Sequence, residues 1–102
     1  MDIDTAFTAL NHPARRQILA WLKDRRNFPP ALPEHKGLEG VCVGYIQEKA
    51  DLPQSTISTH MALLRKAGFV IAERHGQWTF YRRDEEALRH FLTLLGTELT
   101  EA

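Results

Sequence analysis

The chain has 102 residues, enough for one domain with one modest hydrophobic core. Its hydrophobic share of 43% and charged share of 25% are ordinary for a globular protein, and 13 basic and 13 acidic residues cancel to a formal net charge of zero. No apolar run approaches the ~20 residues of a membrane-spanning helix, and a single cysteine, Cys42, excludes an internal disulfide.

No cationic, apolar leader opens the chain, so a cytoplasmic location is the expectation. Ile3, Phe7 and Leu10 mark a first helix over 3–10, and Asn11-His12-Pro13 breaks it. Pro13 suits the first turn of a second helix, where its missing N–H costs nothing. That helix is expected over 13–23, burying Ile18, Leu19 and Leu22. Residues 24–40 hold Pro29, Pro30, Pro33, Gly37 and Gly40 and read as an extended loop with Phe28 and Leu32 as its anchors. A loop this long is commonly functional. An arm at a dimer interface, a lid over an effector pocket and a passive insertion all fit it.

Val41 to Ala50 reads as a third helix with Val43, Ile46 and Ala50 facing inward, and Asp51-Leu52-Pro53 as a turn. The fourth helix is expected over 54–67. Ile57, Met61 and Leu64 fall at i, i+4 and i+7 on a buried face. Its start carries Gln54, Ser55, Thr56, Ser58 and Thr59, with no carboxylate, although the macrodipole favours negative charge there. A helix start built to approach a polyanion avoids acids and offers neutral donors. Arg65 and Lys66 load the last turn, and Gly68 ends it. Two β runs follow, 69–74 and 78–83, joined at His75-Gly76-Gln77. A polar helix beside a hairpin with a basic tip describes a winged helix-turn-helix. The last helix starts on Asp84-Glu85-Glu86, the favourable end for acids. It repeats Leu88, Phe91, Leu92, Leu95 and Leu99 in a stripe that a core this small cannot cover together with Ile3, Phe7 and Leu10.

Charge is segregated along the chain. Between Gln54 and Arg83 stand Arg65, Lys66, Arg74, Arg82 and Arg83 against Glu73 alone; from Asp84 onward stand Asp84, Glu85, Glu86, Glu98 and Glu101 against Arg89. Beyond a Debye length of ~8–10 Å only such local charge matters, so overall neutrality does not exclude a nucleic-acid partner.

Gln54-Ser55-Thr56-Ile57-Ser58-Thr59-His60, then Leu64-Arg65-Lys66-Ala67-Gly68-Phe69-Val70, then Arg74-His75-Gly76-Gln77-Trp78-Thr79-Phe80-Tyr81 resemble, in order and spacing, the ArsR/SmtB family of bacterial repressors. That family carries a QSTVSRHL-like recognition helix, an LRxAGLV turn and an RxGRxxxY wing. Leu10 to Leu19 resembles the family's LxxPxRLxIL opening, where Arg15 and Arg16 could reach a phosphate or simply form a solvated face. The resemblance implies a mainly α protein with a β-hairpin wing, in the order ααααββα, over the single domain 1–102. It also implies a homodimer pairing first and last helices through Ile3, Phe7, Leu10, Leu88, Phe91, Leu92 and Leu95. The partner is double-stranded DNA with a palindromic operator, met by Gln54, Ser55, Thr56, Ser58, Thr59, His60, Arg65, Arg74, His75 and Gln77.

Four departures bear on the signal. The family's Cys-x-Cys phrase is here Gly40-Val41-Cys42-Val43-Gly44-Tyr45-Ile46, with Gly44 for the second cysteine and Tyr45 for an acid. One thiolate does not make a soft-metal site of three or four ligands. The family's other site, on the last helix, is met by Asp84 but has Glu86 where a histidine is wanted, and His90 has no later partner. No metal and no cofactor is therefore expected, and release by a redox, electrophilic or small-molecule signal replaces metal sensing. Cys42 reads either as a small buried hydrophobe or as a thiolate sensor at a helix start. Catalytic fingerprints (a nucleophile elbow, a P-loop, a dinucleotide glycine motif) do not occur, so an enzyme is not expected. A winged-helix protein-interaction module and a metal-responsive repressor with atypical ligands remain as alternatives.

Overall fold

The computed structural model describes residues 1–100; Glu101, counted above among the C-terminal acids, lies outside the described residues, as does Ala102. Among the described residues the order is α1 (Ile3–Leu10), α2 (Pro13–Leu22), β1 (Val41–Cys42), α3 (Val43–Ala50), α4 (Gln54–Lys66), β2 (Val70–His75), β3 (Trp78–Arg83) and α5 (Glu85–Thr100). The mainly α architecture with a hairpin wing is as expected, with one strand more. Cys42, expected within a helix, lies in β1, which adds to the hairpin in the antiparallel order β1-β3-β2. Val41 opposes Tyr81 and Cys42 opposes Phe80. A two-residue strand has no periodicity of its own; its partner makes it.

Local chemistry explains the element ends. Asp51 takes φ +54 and closes α3 by donating its N–H to the Gln47 carbonyl at 2.9 Å. Pro53 stands at the N-cap of α4 with no side-chain cap. At the other end Gly68 adopts φ +87 and its N–H meets the Arg65 carbonyl at 2.9 Å, while the Phe69 N–H meets that of Leu64 at 3.0 Å. That pair of bonds is a Schellman motif, and its usual hydrophobic contact is made by the fully buried Phe69 and Leu64. Asp84 caps α5 by accepting the Ala87 N–H at 3.0 Å.

The core gathers Ile18, Ile46, Ile57, Met61, Leu64 and Phe69, all essentially without solvent contact. Phe69 meets Phe91 edge to face at 5.4 Å, and Phe91 meets Phe7 at 5.9 Å. Phe91, expected at a dimer interface, is thus only 5% exposed and belongs to the protomer core. Helix α1 turns its alanines inward: Ala6 and Ala9 are fully buried, whereas Phe7 is 42% exposed and Ile3 and Leu10 are half-buried. The small side chains let α4 approach closely, and the larger apolar ones are left facing out.

The 24–40 segment is ordered against the body by two short 3-10 turns, Arg25–Asn27 and Pro33–His35. Phe28 anchors it as expected, but Leu32 is exposed and His35 takes its place, buried edge-on against Trp78 at 5.1 Å and Phe80 at 5.0 Å. Tyr45 of α3 donates its hydroxyl to the Pro30 carbonyl at 3.0 Å. The segment therefore braces α3 and the wing together.

Gly40 ends it at φ +88, where an added Cβ would sit 2.7 Å from the Tyr81 carbonyl oxygen. Gly40→Ala is expected to lower stability by about 1–3 kcal/mol and to strip hydrogen-exchange protection from β1. Denaturant unfolding and amide exchange at Val41 and Cys42 check both effects, and unchanged exchange there would contradict the close approach.

Candidate nucleic-acid interface

Helix α4 shows one side to solvent. Gln54, Ser55, Ser58, Thr59, Ala62 and Arg65 are exposed, Thr56 is half-buried, and Ile57, Met61 and Leu64 point inward. The 3.6-residue period stacks Gln54 over Ser58 and continues to Ala62 and Arg65. The Thr59 hydroxyl donates to the Ser55 carbonyl at 3.1 Å, which leaves its oxygen as an acceptor.

The wing folds over this side. A cleft of about 470 Å³ is walled by Val43 and Gln47 of α3, Gln54 and Ser58 of α4, and Arg74 and Gln77 of the wing. Ser58, Val43 and Tyr81 also line a second opening that runs on to Arg65 and Lys66, so the two form one trough along α4. Sequence reading missed Gln47, Val43 and Tyr81 as wall residues. The period of two along β3 was the available signal for Tyr81, since it puts Thr79 and Tyr81 opposite the buried Phe80. Burial pushes the Tyr81 phenol up, against a smaller pull from Arg65, so the trough has a neutral hydroxyl in its wall.

The wing tip is tied down. Arg74 Nε donates to the Gly76 carbonyl at 3.3 Å, and His75 Nε2 lies 3.0 Å from Glu73 Oε2. Glu73, the lone acid of the segment, thus stands against a histidine. Two of the five cations counted there are engaged elsewhere: Arg82 pairs with Glu39 at 3.3 Å, and Arg83 binds Glu85 and the Leu19 carbonyl. Arg65, Lys66 and Arg74 remain exposed to meet an anion.

His60, expected among the DNA contacts with a structural role as the other reading, is corrected to the structural role, and Arg15 meets neither a phosphate nor solvent. His60 is 6% exposed and faces away from the trough, with Nδ1 3.0 Å from Arg15. Arg15 is 7% exposed and donates to the carbonyls of Ala9 at 2.7 Å and Thr8 at 3.1 Å. Arg16 donates to that of Leu10. The two arginines cap the C-terminal end of α1, where orphan carbonyls and the helix dipole attract cations, and Arg15 is too buried to reach a phosphate.

Cys42 is 8% exposed and sits in the sheet opposite Phe80, which supports the packing reading of its thiol. Among the described residues no three His, Cys, Asp or Glu side chains gather to hold a metal ion. No described helix is long and apolar enough to cross a membrane.

A helix of neutral donors beside a basic hairpin, walled into one trough, is the form of a DNA-reading winged helix. Comparison with known proteins decides the family. The model for "Bacterial regulatory protein, arsR family" matches residues 39–72, from the strand before α3 to the start of the wing. The HTH-type transcriptional regulator YbzH of Bacillus subtilis, itself uncharacterized, is 43% identical over 98 residues, covering 91% of this chain and 94% of its own. The chain belongs to the ArsR family of transcriptional regulators. Its fold is that of a crystallised ArsR-family regulator, RHA00566 (TM-score 0.69, 18% identity, 93% of this chain and 84% of that one). It is also that of the homodimeric winged helix-turn-helix DNA-binding domain Mb0332 from Mycobacterium bovis, solved by NMR (TM-score 0.65, 23% identity, 94% and 77% covered). This ArsR-family chain is thus a transcriptional regulator with a winged helix-turn-helix DNA-binding domain.

Proposed function

We propose that the protein is a cytoplasmic homodimeric repressor that binds a palindromic operator through α4 and the wing. The trough in which the carboxylate-free side of α4 meets Arg74 and Gln77 carries this reading. Gln54, Ser55, Ser58 and Thr59 face base edges in the major groove, with half-buried Thr56 at their margin; glutamine pairs an adenine bidentately. Arg65, Arg74 and Gln77 hold phosphates, and His75, drawn toward Glu73, contributes less. A two-fold dimer sets half-sites about one helical turn, ~10 bp, apart or a multiple of it. Release runs through a non-metal signal. A small molecule is the signal with room to act, because an open cleft of about 440 Å³ lies between the 24–40 segment and α3, lined by Asn27, Pro29, Tyr45, Glu48 and Lys49.

Selection from random duplex DNA tests the reading, and a palindrome is the expected product. On the selected site, Gln54→Ala is expected to relax discrimination at one position per half-site by about 1–3 kcal/mol. Arg74→Ala weakens all sequences alike and lowers the salt slope by about one per protomer. Uniform loss from Gln54→Ala with an unchanged base preference would reverse the two roles.

A further inference from the structure

We propose that His60 and Arg15 form a positioning link that holds the recognition helix to the C-terminal end of α1, and that a proton on His60 releases it, so that operator binding weakens in acid. The DNA part of this inference rests on the repressor reading above; the link itself does not.

The link joins three elements. Arg15 of α2 reaches forward to the last carbonyls of α1, Thr8 and Ala9, and sideways to His60 Nδ1 of α4 at 3.0 Å. A guanidinium only donates, so His60 Nδ1 carries the lone pair and the ring proton sits on Nε2. His12 stacks on it with ring centroids 4.6 Å apart, and its own Nδ1 accepts the Ala14 N–H at 3.0 Å as the cap of α2. The His60 ring is therefore held as an acceptor at Nδ1. The repressor reading uses the trough side of α4 and the α1 surface carrying Ile3, Phe7 and Leu10, and the buried Arg15–His60 pair ties those two helices together.

A proton on His60 Nδ1 turns Arg15's acceptor into a donor and sets a second cation against the guanidinium. The charged and titratable groups acting on His60 are His12, from the α1–α2 junction, and Arg15, from α2. Both disfavour protonation. The α1 carboxylates stand at Asp2, which is bonded to Thr5, and at Asp4, about a turn or more before Thr8. Desolvation first, then His12 and Arg15, hold the His60 imidazole below its ordinary 6.5. The unfolded or released chain therefore binds a proton that the linked state refuses. The link is fully present above about pH 6.5 and is lost as pH falls below that value toward the lowered one.

The variant that keeps the acceptor but cannot titrate is what isolates His60. Operator affinity, read by fluorescence anisotropy between about pH 7.5 and about pH 5.5, is expected to fall with acid, by at most about tenfold per pH unit for each proton taken up. His60→Asn keeps an acceptor for Arg15 near the Nδ1 position and does not titrate, so its affinity is expected to hold or rise in acid. The same pH profile in both proteins overturns the proposal.

NMR on the wild-type protein gives a reading independent of DNA and of the variant's folding. His60 is expected to titrate below its ordinary 6.5, with the Thr8–Asn11 amides and those of α4 shifting at the same midpoint. If His60 titrates at its ordinary value, or without moving α1, the link is wrong even where the protein binds its operator. If no palindrome is selected but the coupled NMR midpoint is found, the link stands and the repressor reading fails.

Discussion

Phe69→Ala is expected to lower stability by about 3–5 kcal/mol, because Phe69 is the largest of the fully buried side chains among the described residues. Phe69 has no solvent exposure and is the hydrophobic residue of the Schellman motif that ends α4. Its carbonyl accepts the Asp84 N–H at 3.0 Å, just before α5, and its ring packs on Phe91. The backbone bonds survive the truncation; what is lost is the ring that fills the core between the end of α4 and Phe91 of α5. A domain of this size holds about 5–15 kcal/mol in all, so much of that margin goes. Thermal unfolding is expected to drop on the order of 15–25 °C. A drop of only a few degrees would mean that the rings of Phe7 and Phe91 collapse into the space.

Leu92→Glu is expected, on the proposed homodimer, to give a different signature: a folded protomer that no longer dimerises, whose thermal transition has lost its concentration dependence, and that binds the operator about 10²–10⁴-fold more weakly. Leu92 is 64% exposed and Leu99 72%, while Leu88 and Leu95 are half-buried, so α5 presents apolar surface that the protomer does not cover. Phe7 on α1 extends it. A surface substitution changes protomer stability by about 0.5 kcal/mol or less. On the proposed interface the substitution buries a carboxylate from each protomer, which is strongly unfavourable without a partner charge. The loss in DNA affinity follows from valency, since joining two half-site readers raises avidity about 10²–10⁴-fold without a new contact. Sedimentation equilibrium and anisotropy measure the two quantities separately. A dimeric Leu92→Glu protein would move the interface away from α5.

The wing and its helix were legible in the sequence because their signals are local. Ile57, Met61 and Leu64 mark the buried side of α4 by spacing alone, Gly68 marks its end, and two aromatic and β-branched runs around Gly76 mark the hairpin. The exposed donors Gln54, Ser55, Ser58 and Thr59 follow from the same period; their convergence with Arg74 and Gln77 took the folded hairpin. The surplus of apolar side chains on the first and last helices was likewise a matter of counting what one small core can cover.

What the sequence could not decide depends on partners far along the chain. Residues Val41 and Cys42 become a strand only because Tyr81 and Phe80 lie opposite. His60 and Phe91 occupy helix positions whose type suits either face; Arg15 settles the first and Phe69 the second. Arg82 and Arg83 look free in a count of charge, yet Glu39, Glu85 and the Leu19 carbonyl hold them. Periodicity sets which residues share a face; only packing of the whole chain decides what that face meets, because the desolvation that buries a polar side chain is tolerable only where a distant partner completes its hydrogen bonds.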